Sequence, residues 1–255
     1  MKYTVLSLFP EITDAFFRTS IMAKAIERGI VEYAGVNIRD YARDRHKTCD
    51  DAPYGGGAGM LMMAEPLARA LDAAGAGTPG RRTVYLSPSG KPFNQCLAKE
   101  LSEERELVLI CGRYEGIDQR IIDIYVDDEI SVGDYVLSSG ETAALVLIDA
   151  SYRLLGDVIS TESLNEESFS GGLLEYPQYT RPEIYASIHG EMRVPEVLLS
   201  GHHENIRRWR LRKRIEKTLL NRPDLLYKGI REGFFDDEIR GMVREVSGIT
   251  EEYGL

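Results

Sequence analysis

The sequence has few of the residues that build disulfide frameworks or metal centres. Its 255 residues include three cysteines and four histidines. The cysteines lie far apart with no paired spacing, which excludes a zinc-ribbon pattern and is typical of a reducing compartment. They are Cys49, Cys96 and Cys111. Because His189, His202 and His203 show no metal-ligand spacing either, we predict no bound structural metal.

Long apolar runs are also missing. No stretch approaches the roughly 20 apolar residues that a membrane helix needs. The short apolar run at the N-terminus is broken by Pro10 and Glu11, so it predicts neither a signal peptide nor a membrane span. Internal repeats and low-complexity tracts are absent, which excludes a solenoid. We expect a cytoplasmic globular protein with no membrane partner.

The formal net charge of -10 would by itself argue against a nucleic-acid partner. The charge is unevenly spread, however, because residues 205–222 contain eight Lys or Arg against one acid, Glu216. Such a run is either the solvated face of an amphipathic helix or a surface for an RNA backbone. Trp209, within it, would either stack on a base or anchor the helix in a core.

Apolar runs that end in glycine-bearing loops dominate the first half of the chain. Glycines beyond a strand let a ligand approach the backbone, and ligands of open α/β sheets sit off the carboxyl ends of strands. Three such strand–loop pairs within about sixty residues therefore predict one ligand pocket. The predicted strands are Thr83–Leu86, Leu107–Cys111 and Asp128–Val132, and their loops are Ser87–Phe93, Gly112–Gly116 and Gly133–Gly140.

Strands and helices alternate along this half, which favours an α/β domain with a largely parallel sheet. Further predicted strands are Tyr3–Phe9 and Val31–Ile38, and one helical face comprises Ile12, Phe16, Phe17, Ile21 and Ala25. Further predicted helices cover 65–74, 94–102, 141–155, 206–220 and 236–246. The polar segment after residue 160 lacks apolar periodicity and predicts a linker. We expect a domain over 1–160, a flexible linker over 161–172 and a small, mostly helical domain over 173–255.

The segment Asp50–Met60 is a glycine-rich loop before a predicted helix. It is not a P-loop, because no Lys-Ser/Thr pair follows, and it lacks the GxGxxG pattern of dinucleotide-binding folds. A loop that cradles a phosphate and a flexible connection both remain open.

Several motifs together make the chain resemble the bacterial tRNA (guanine-37-N1)-methyltransferases, the TrmD type of knotted SPOUT methyltransferase. The matching segments are LFPE (8–11), YGGGAGM (54–60), LSPSGKPFNQ (86–95), CGRYEGIDQR (111–120), SVGDYVLSSGE (131–141), ESFSGGLLEYPQYTRP (167–182) and VPEVLLSGHHENIRRWR (194–210). They span nearly the whole chain in the order of the family.

The resemblance implies methyl transfer from S-adenosylmethionine to N1 of the guanine beside the tRNA anticodon. It implies a SPOUT-type sheet with a deep trefoil knot, and a homodimer with the active site at the subunit interface. It also implies magnesium during catalysis, although no carboxylate cluster marks a magnesium site. The implied cofactor residues are Tyr85, Leu86, Ser87, Pro88, Gly90, Gly112, Tyr114, Glu115, Gly116, Val132, Gly133, Asp134, Tyr135, Val136, Leu137 and Gly140.

The implied chemistry needs a base for the N1 proton and a cation for charge developing on O6. By resemblance the cation is Arg153 and the base is Glu167. The family usually has Asp at the latter position, which leaves the neighbouring Glu166 as a substitute, and Ser139 stands where the family often has Gly. The implied RNA-binding residues are Arg207, Arg208 and Arg210.

Two other functions are compatible with these patterns. A knotted methyltransferase could act on a ribose 2′-OH or on another RNA base, although it would not need the segment GLLEYPQYTRP. A non-catalytic RNA-binding protein could retain the fold, and a measurement of cofactor binding would separate it from an enzyme.

Overall fold

A computed structural model describes residues 1–160 and 167–248 of the chain. The chain divides into two compact units, Met1–Ile159 and Ser160–Leu255.

The first unit is built on a five-stranded sheet in which every neighbouring pair is parallel. Its strands are β1 (Lys2–Ser7), β2 (Glu32–Asn37), β5 (Arg81–Pro92), β6 (Glu106–Cys111) and β7 (Asp128–Ser131). The order across the sheet is β2-β1-β6-β5-β7. Every residue of β6 is buried, as expected for a central strand covered on both faces. The predicted α/β architecture with a parallel sheet is confirmed.

Helices pack on both faces of this sheet. They are α1 (Glu11–Phe17), α2 (Ser20–Glu27), α3 (Ala64–Ala74), α4 (Gln95–Ser102), α5 (Gln119–Tyr125) and α6 (Gly140–Tyr152). Successive side chains of a strand point to opposite faces. Leu109 of β6 accordingly joins the apolar cluster that contains Leu147 of α6, whereas Ile110 joins the cluster that contains Leu67 of α3. Alternation along one strand thus fixes two separate core layers.

Two helical segments of the first unit depart from the predicted secondary structure. The single helical face predicted after Pro10 is wrong, because the chain breaks into α1 and α2, and Ser20 takes a positive φ of 54°. The break shifts the helical phase, and Ile12 and Ile21 are 42% and 44% exposed instead of belonging to the core. Helix α6 ends at Tyr152, three residues before the predicted end.

Strand β5 is longer than predicted, and its pairing with β7 is interrupted. Leu86 and Lys91 both pair with Ile130. The residues between them therefore leave the sheet as a loop within one strand. A short antiparallel pair, β3 (Asp50–Asp51) and β4 (Leu61–Met62), brackets the glycine-rich loop.

Helices make up most of the described second unit. They are α7 (Glu196–Leu199), α8 (His203–Asn221), α9 (Pro223–Arg231) and α10 (Asp237–Ser247). The sequence pattern did not predict α9, nor the antiparallel hairpin of β8 (Ile184–Ser187) and β9 (Gly190–Arg193). The core joins side chains from the helices to Leu173, which is 1% exposed. Gly229 of α9 lies so close to Phe235 that an added Cβ would be 2.2 Å from the ring.

None of the helices in the described ranges combines the length and the apolar character needed to cross a membrane.

Candidate functional site

The three glycine-bearing loops meet at one edge of the sheet. Because β6, β5 and β7 are neighbours and parallel, the loops that follow β6 and β7 and the loop within β5 lie side by side. They enclose a cavity of about 360 Å³, a volume within the usual range for small-molecule sites. The lining residues are Tyr85–Ser89, Gly112–Gly116, Ile130–Gly133, Tyr135–Gly140 and Ala143.

Two of the predicted cofactor residues lie outside this lining. Gly90 is where the β5 loop returns to the sheet, and a Cβ there would be 2.4 Å from the backbone nitrogen of Ile130. The absence of a side chain at Gly90 therefore allows β5 and β7 to approach each other. Asp134 is exposed and does not line the cavity. The other predicted cofactor residues line the cavity.

Several lining residues were not among those predicted, namely Ser89, Arg113, Ile130, Ser131, Ser138, Ser139 and Ala143. All except Ala143 lie within or directly beside the predicted runs. These six residues would have been predicted from the sequence if every residue of each strand-end segment had been taken as part of the lining.

Gly112 and Gly140 bring the end of β6 and the start of α6 into close backbone contact at the cavity. The Gly140 N–H at the start of α6 donates to the Gly112 carbonyl at 2.8 Å. A Cβ on Gly140 would lie 2.7 Å from the Gly112 nitrogen and 2.8 Å from Cys111 Cα. A side chain there would force the start of α6 away from the end of β6.

Two titratable side chains are held in uncharged form here, namely Cys111 at the end of β6 and Tyr85 in the cavity lining. Burial raises the pKa of the Cys111 thiol well above its ordinary value, and the nearby Glu141 carboxylate raises it further. Burial likewise raises the pKa of Tyr85, with a contribution from Glu129. Cys111 is therefore a protonated thiol at neutral pH rather than a nucleophilic thiolate.

The loop after β6 is fastened to the glycine-rich loop. Tyr114 takes a positive φ of 57°, and its hydroxyl donates to Asp50 Oδ1 at 3.3 Å. The Glu115 N–H donates to the Met60 carbonyl at 3.0 Å, and a Cβ on Gly59 would collide with the Glu115 side chain. The glycine-rich loop thus ends on a wall of the cavity, whereas Gly55–Gly57 lie exposed.

The predicted catalytic residues lie in different units. Arg153 directly follows α6 in the first unit, and Glu167 belongs to the second; both are half-buried. Their pairing at one site stays a prediction. The alternative base, Glu166, lies outside the described residues.

The basic run lies on α8, where acids outside the run pair with part of its charge. Arg207 binds Glu204 and Glu238, at 2.7 and 2.6 Å, and Arg212 binds Glu216 and Glu245. Arg208 is exposed and makes no ion pair with any residue in the described ranges. Ion pairs within the second unit thus neutralise part of the positive charge of residues 205–222, and only the rest is available to bind an anion.

A second cavity, of about 960 Å³, lies beside α8 within the second unit. Its wall includes the irregular segment Tyr176–Glu183 together with Trp209 and Arg210. The Tyr179 and Trp209 rings are 6.4 Å apart, and the Arg210 guanidinium lies 4.7 Å from the Tyr176 ring centroid. Trp209 therefore faces an open aromatic basin and is only half-buried.

No group of three or more His, Cys, Asp or Glu side chains is arranged for a metal ion within 1–160 and 167–248.

Comparison with known proteins agrees with this architecture. Residues 1–228 match the family described as tRNA (Guanine-1)-methyltransferase TrmD. A tRNA (guanine-N(1)-)-methyltransferase of Treponema denticola is 64% identical over 245 residues, covering 96% of this chain and 98% of the relative. Enzymes of the same name from Treponema pallidum and Borreliella burgdorferi are 57% and 60% identical, covering 96% and 89% of this chain and 96% and 94% of the relatives. This chain therefore belongs to the TrmD family of tRNA (guanine-1)-methyltransferases.

Proposed function

We propose that this chain transfers a methyl group from S-adenosylmethionine to N1 of guanine 37 in tRNA. The observation that carries the proposal is the cavity formed by three strand-end loops, in a chain 64% identical to a tRNA (guanine-N(1)-)-methyltransferase over 96% of its length. The same assignment places the enzyme in the cytoplasm, where tRNA is modified.

The cavity suits S-adenosylmethionine by its size and by the backbone it exposes. Added Cβ atoms on Gly112 or Gly140 would lie within 3.0 Å of neighbouring atoms, so these glycines keep the floor open. The bound cofactor supplies a methyl group already activated on a sulfonium. Cys111 stays a neutral thiol and does not compete with guanine as a nucleophile. The protein is then left mainly with positioning the reacting atoms.

We assign the proton chemistry to Glu167 and Arg153. Guanine N1 carries a proton at neutral pH, and a carboxylate within hydrogen-bond reach can remove it as N1 attacks. Negative charge then grows on O6, where a guanidinium offers a fixed fork of donors. Arg153 belongs to the first unit and Glu167 to the second, and the proposal assigns both to the reaction at guanine N1.

The proposal includes a homodimer with the active site at the subunit interface and a SPOUT-type trefoil knot built from the cavity loops. It also includes magnesium as a requirement of catalysis, without assigned ligands. For RNA, the free charge of Arg208 and the basin that contains Trp209 and Arg210 provide a phosphate contact and stacking surfaces.

The decisive experiment measures methyl transfer from labelled S-adenosylmethionine to tRNA transcripts that differ only at position 37. Label should enter a transcript with guanine at this position and not one with adenine, and nucleoside analysis should identify 1-methylguanosine. Label in a ribose, or equal labelling of both transcripts, would contradict the assigned target. Absence of both cofactor binding and methyl transfer would instead favour a non-catalytic RNA-binding protein.

A further inference from the structure

Two arginines in the first unit stack on a single aromatic ring. The guanidinium carbon of Arg113 lies 4.5 Å from the centroid of the Phe9 ring, and that of Arg39 lies 5.6 Å from it. Both distances are within the range of cation–π contacts, about 6 Å. Phe9 follows β1, Arg39 follows β2 and Arg113 follows β6, which are three adjacent strands. The carboxyl edge of the sheet therefore brings together residues far apart in sequence.

Neither guanidinium has an ion-pair partner within the described part of the chain. Arg39 and Arg113 make no side-chain hydrogen bond or ion pair with residues 1–160 or 167–248, although both are half-buried. Other arginines of this unit are paired: Arg82 binds Asp128 at 2.5 Å, and Arg120 binds Asp118 at 2.7 Å. Through their common ring the two cations lie within about 10 Å of each other. Two like charges held in place without a direct ion-pair partner favour an anion beside them.

The pair begins at the cavity and extends away from it. Arg113 lines the cofactor cavity, whereas Arg39 does not. From Arg113 the pair runs along the sheet edge towards β2, and the loop after Arg39 adds the exposed Arg45, which has no ion pair among the described residues. An anion that contacts both guanidiniums would thus sit at the rim of the cavity, outside the space of the cofactor.

We propose that Arg39 and Arg113, oriented by Phe9, bind a backbone phosphate of the tRNA next to the nucleotide that enters the cavity. The proposal rests on the proposed function, which brings an RNA strand to this rim. Guanidinium groups match phosphate oxygens with two parallel hydrogen bonds. Stacking on a ring restricts the side chains before binding, so less conformational entropy is lost when the phosphate arrives. The carboxylate of the cofactor has the same oxyanion chemistry, and the test below separates the two.

The test is the salt dependence of tRNA binding by Arg39→Gln and Arg113→Gln. Each phosphate contact adds about 0.7–0.9 to the slope of log K against log salt. We expect either substitution to lower the slope by about this amount and to weaken binding in low salt by about tenfold. Arg39→Lys should keep most of the slope, because it keeps the charge. Arg105→Gln is the matched control: Arg105 is exposed and lies before β6, at the opposite edge of the sheet, and this variant should bind like the parent.

Calorimetry with S-adenosylmethionine completes the test. Cofactor affinity should be unchanged in Arg39→Gln. If it falls while the tRNA salt slope stays at the parental value, the anion is the cofactor carboxylate and the proposal is wrong. Unchanged slopes in both glutamine variants would make the stack a purely structural contact and also overturn it. Failure of the parent enzyme to methylate guanine 37 would refute the proposed function separately, because the slope measurement does not depend on turnover.

Discussion

Replacement of Gly140 by alanine tests whether the close approach of α6 to the end of β6 builds the cofactor cavity. The new Cβ would lie 2.7 Å from Gly112 N, 2.8 Å from Cys111 Cα and 3.0 Å from Cys111 C. All three atoms are backbone, so no flexible side chain can move aside. Gly140 does not have a positive φ, and the substitution therefore acts through contact rather than through backbone conformation.

The expected loss of unfolding free energy is the sum of two contributions, overpacking and a lost hydrogen bond. Overpacking a tightly packed site costs about 1–3 kcal/mol. Separation of the two segments would also lose the 2.8 Å hydrogen bond from Gly140 to Gly112, worth about 1 kcal/mol. A total of about 2–4 kcal/mol predicts a fall in the midpoint of thermal unfolding of about 4–16 °C for a chain of this size. Since both glycines line the cavity, we expect cofactor affinity to fall at least about tenfold.

Calorimetric titration with S-adenosylmethionine and a thermal unfolding scan measure both quantities. Gly156→Ala is the control, because a Cβ at Gly156 would meet no atom within 4 Å and its φ is not positive. It should leave affinity and unfolding midpoint close to those of the parent. A Gly140→Ala protein that binds the cofactor within about twofold of the parent and melts within about a degree of it would refute the reasoning.

Three further predictions concern catalysis, RNA binding and stability. Glu167→Gln should slow single-turnover methyl transfer by roughly a hundredfold or more with little change in cofactor affinity, and Glu167→Asp should stay active. A parental rate in Glu167→Gln together with an inactive Glu166→Gln would identify Glu166 as the general base instead. Arg208→Gln should lower the salt slope of tRNA binding by about 0.7–0.9. Arg207→Gln should lower the slope less, because two glutamates already pair with Arg207. Equal changes of slope in the two variants would contradict this prediction. Although burial opposes it, hydrogen bonds from Arg81, Lys2 and Thr4 hold the pKa of Glu106 below its ordinary value. The stabilisation from ionised Glu106 is therefore present above an unfolded-state pKa of about 4.3 and is lost as pH falls through the lower folded-state pKa. Glu106→Gln should therefore reduce the loss of unfolding free energy at acid pH, as measured by denaturant titration at several pH values. An unchanged loss at acid pH would argue against this role of Glu106.

The parts of the fold that were predictable depend on local patterns. Strand β6 is buried on both faces and is therefore a continuous apolar run that can be read directly. Helix α4 begins where Asn94 caps it, with the side chain accepting from the Leu97 N–H at 3.1 Å. The break between α1 and α2 was missed because apolar spacing continues across it, while Ser20 takes a conformation that its side chain does not signal.

The basic run illustrates what a local count cannot give. Only Glu216 is acidic within residues 205–222, yet the partners of Arg207 and Arg212 include Glu238 and Glu245 on α10. These acids lie more than thirty residues away along the chain. Their neutralising effect depends on helix packing, which sequence spacing does not report.

The sequence by itself determined that glycine-bearing loops follow three buried strands, and hence that a ligand pocket lies at one edge of a parallel sheet. The tertiary structure alone decided what each glycine does: Gly140 meets the backbone of Gly112 at the cavity, whereas Gly90 meets the backbone of β7. It also brought Arg39 and Arg113 onto one ring. The physical reason is that strand and turn preferences arise from neighbours in sequence, whereas steric fit and charge pairing arise from atoms that only the folded chain brings together.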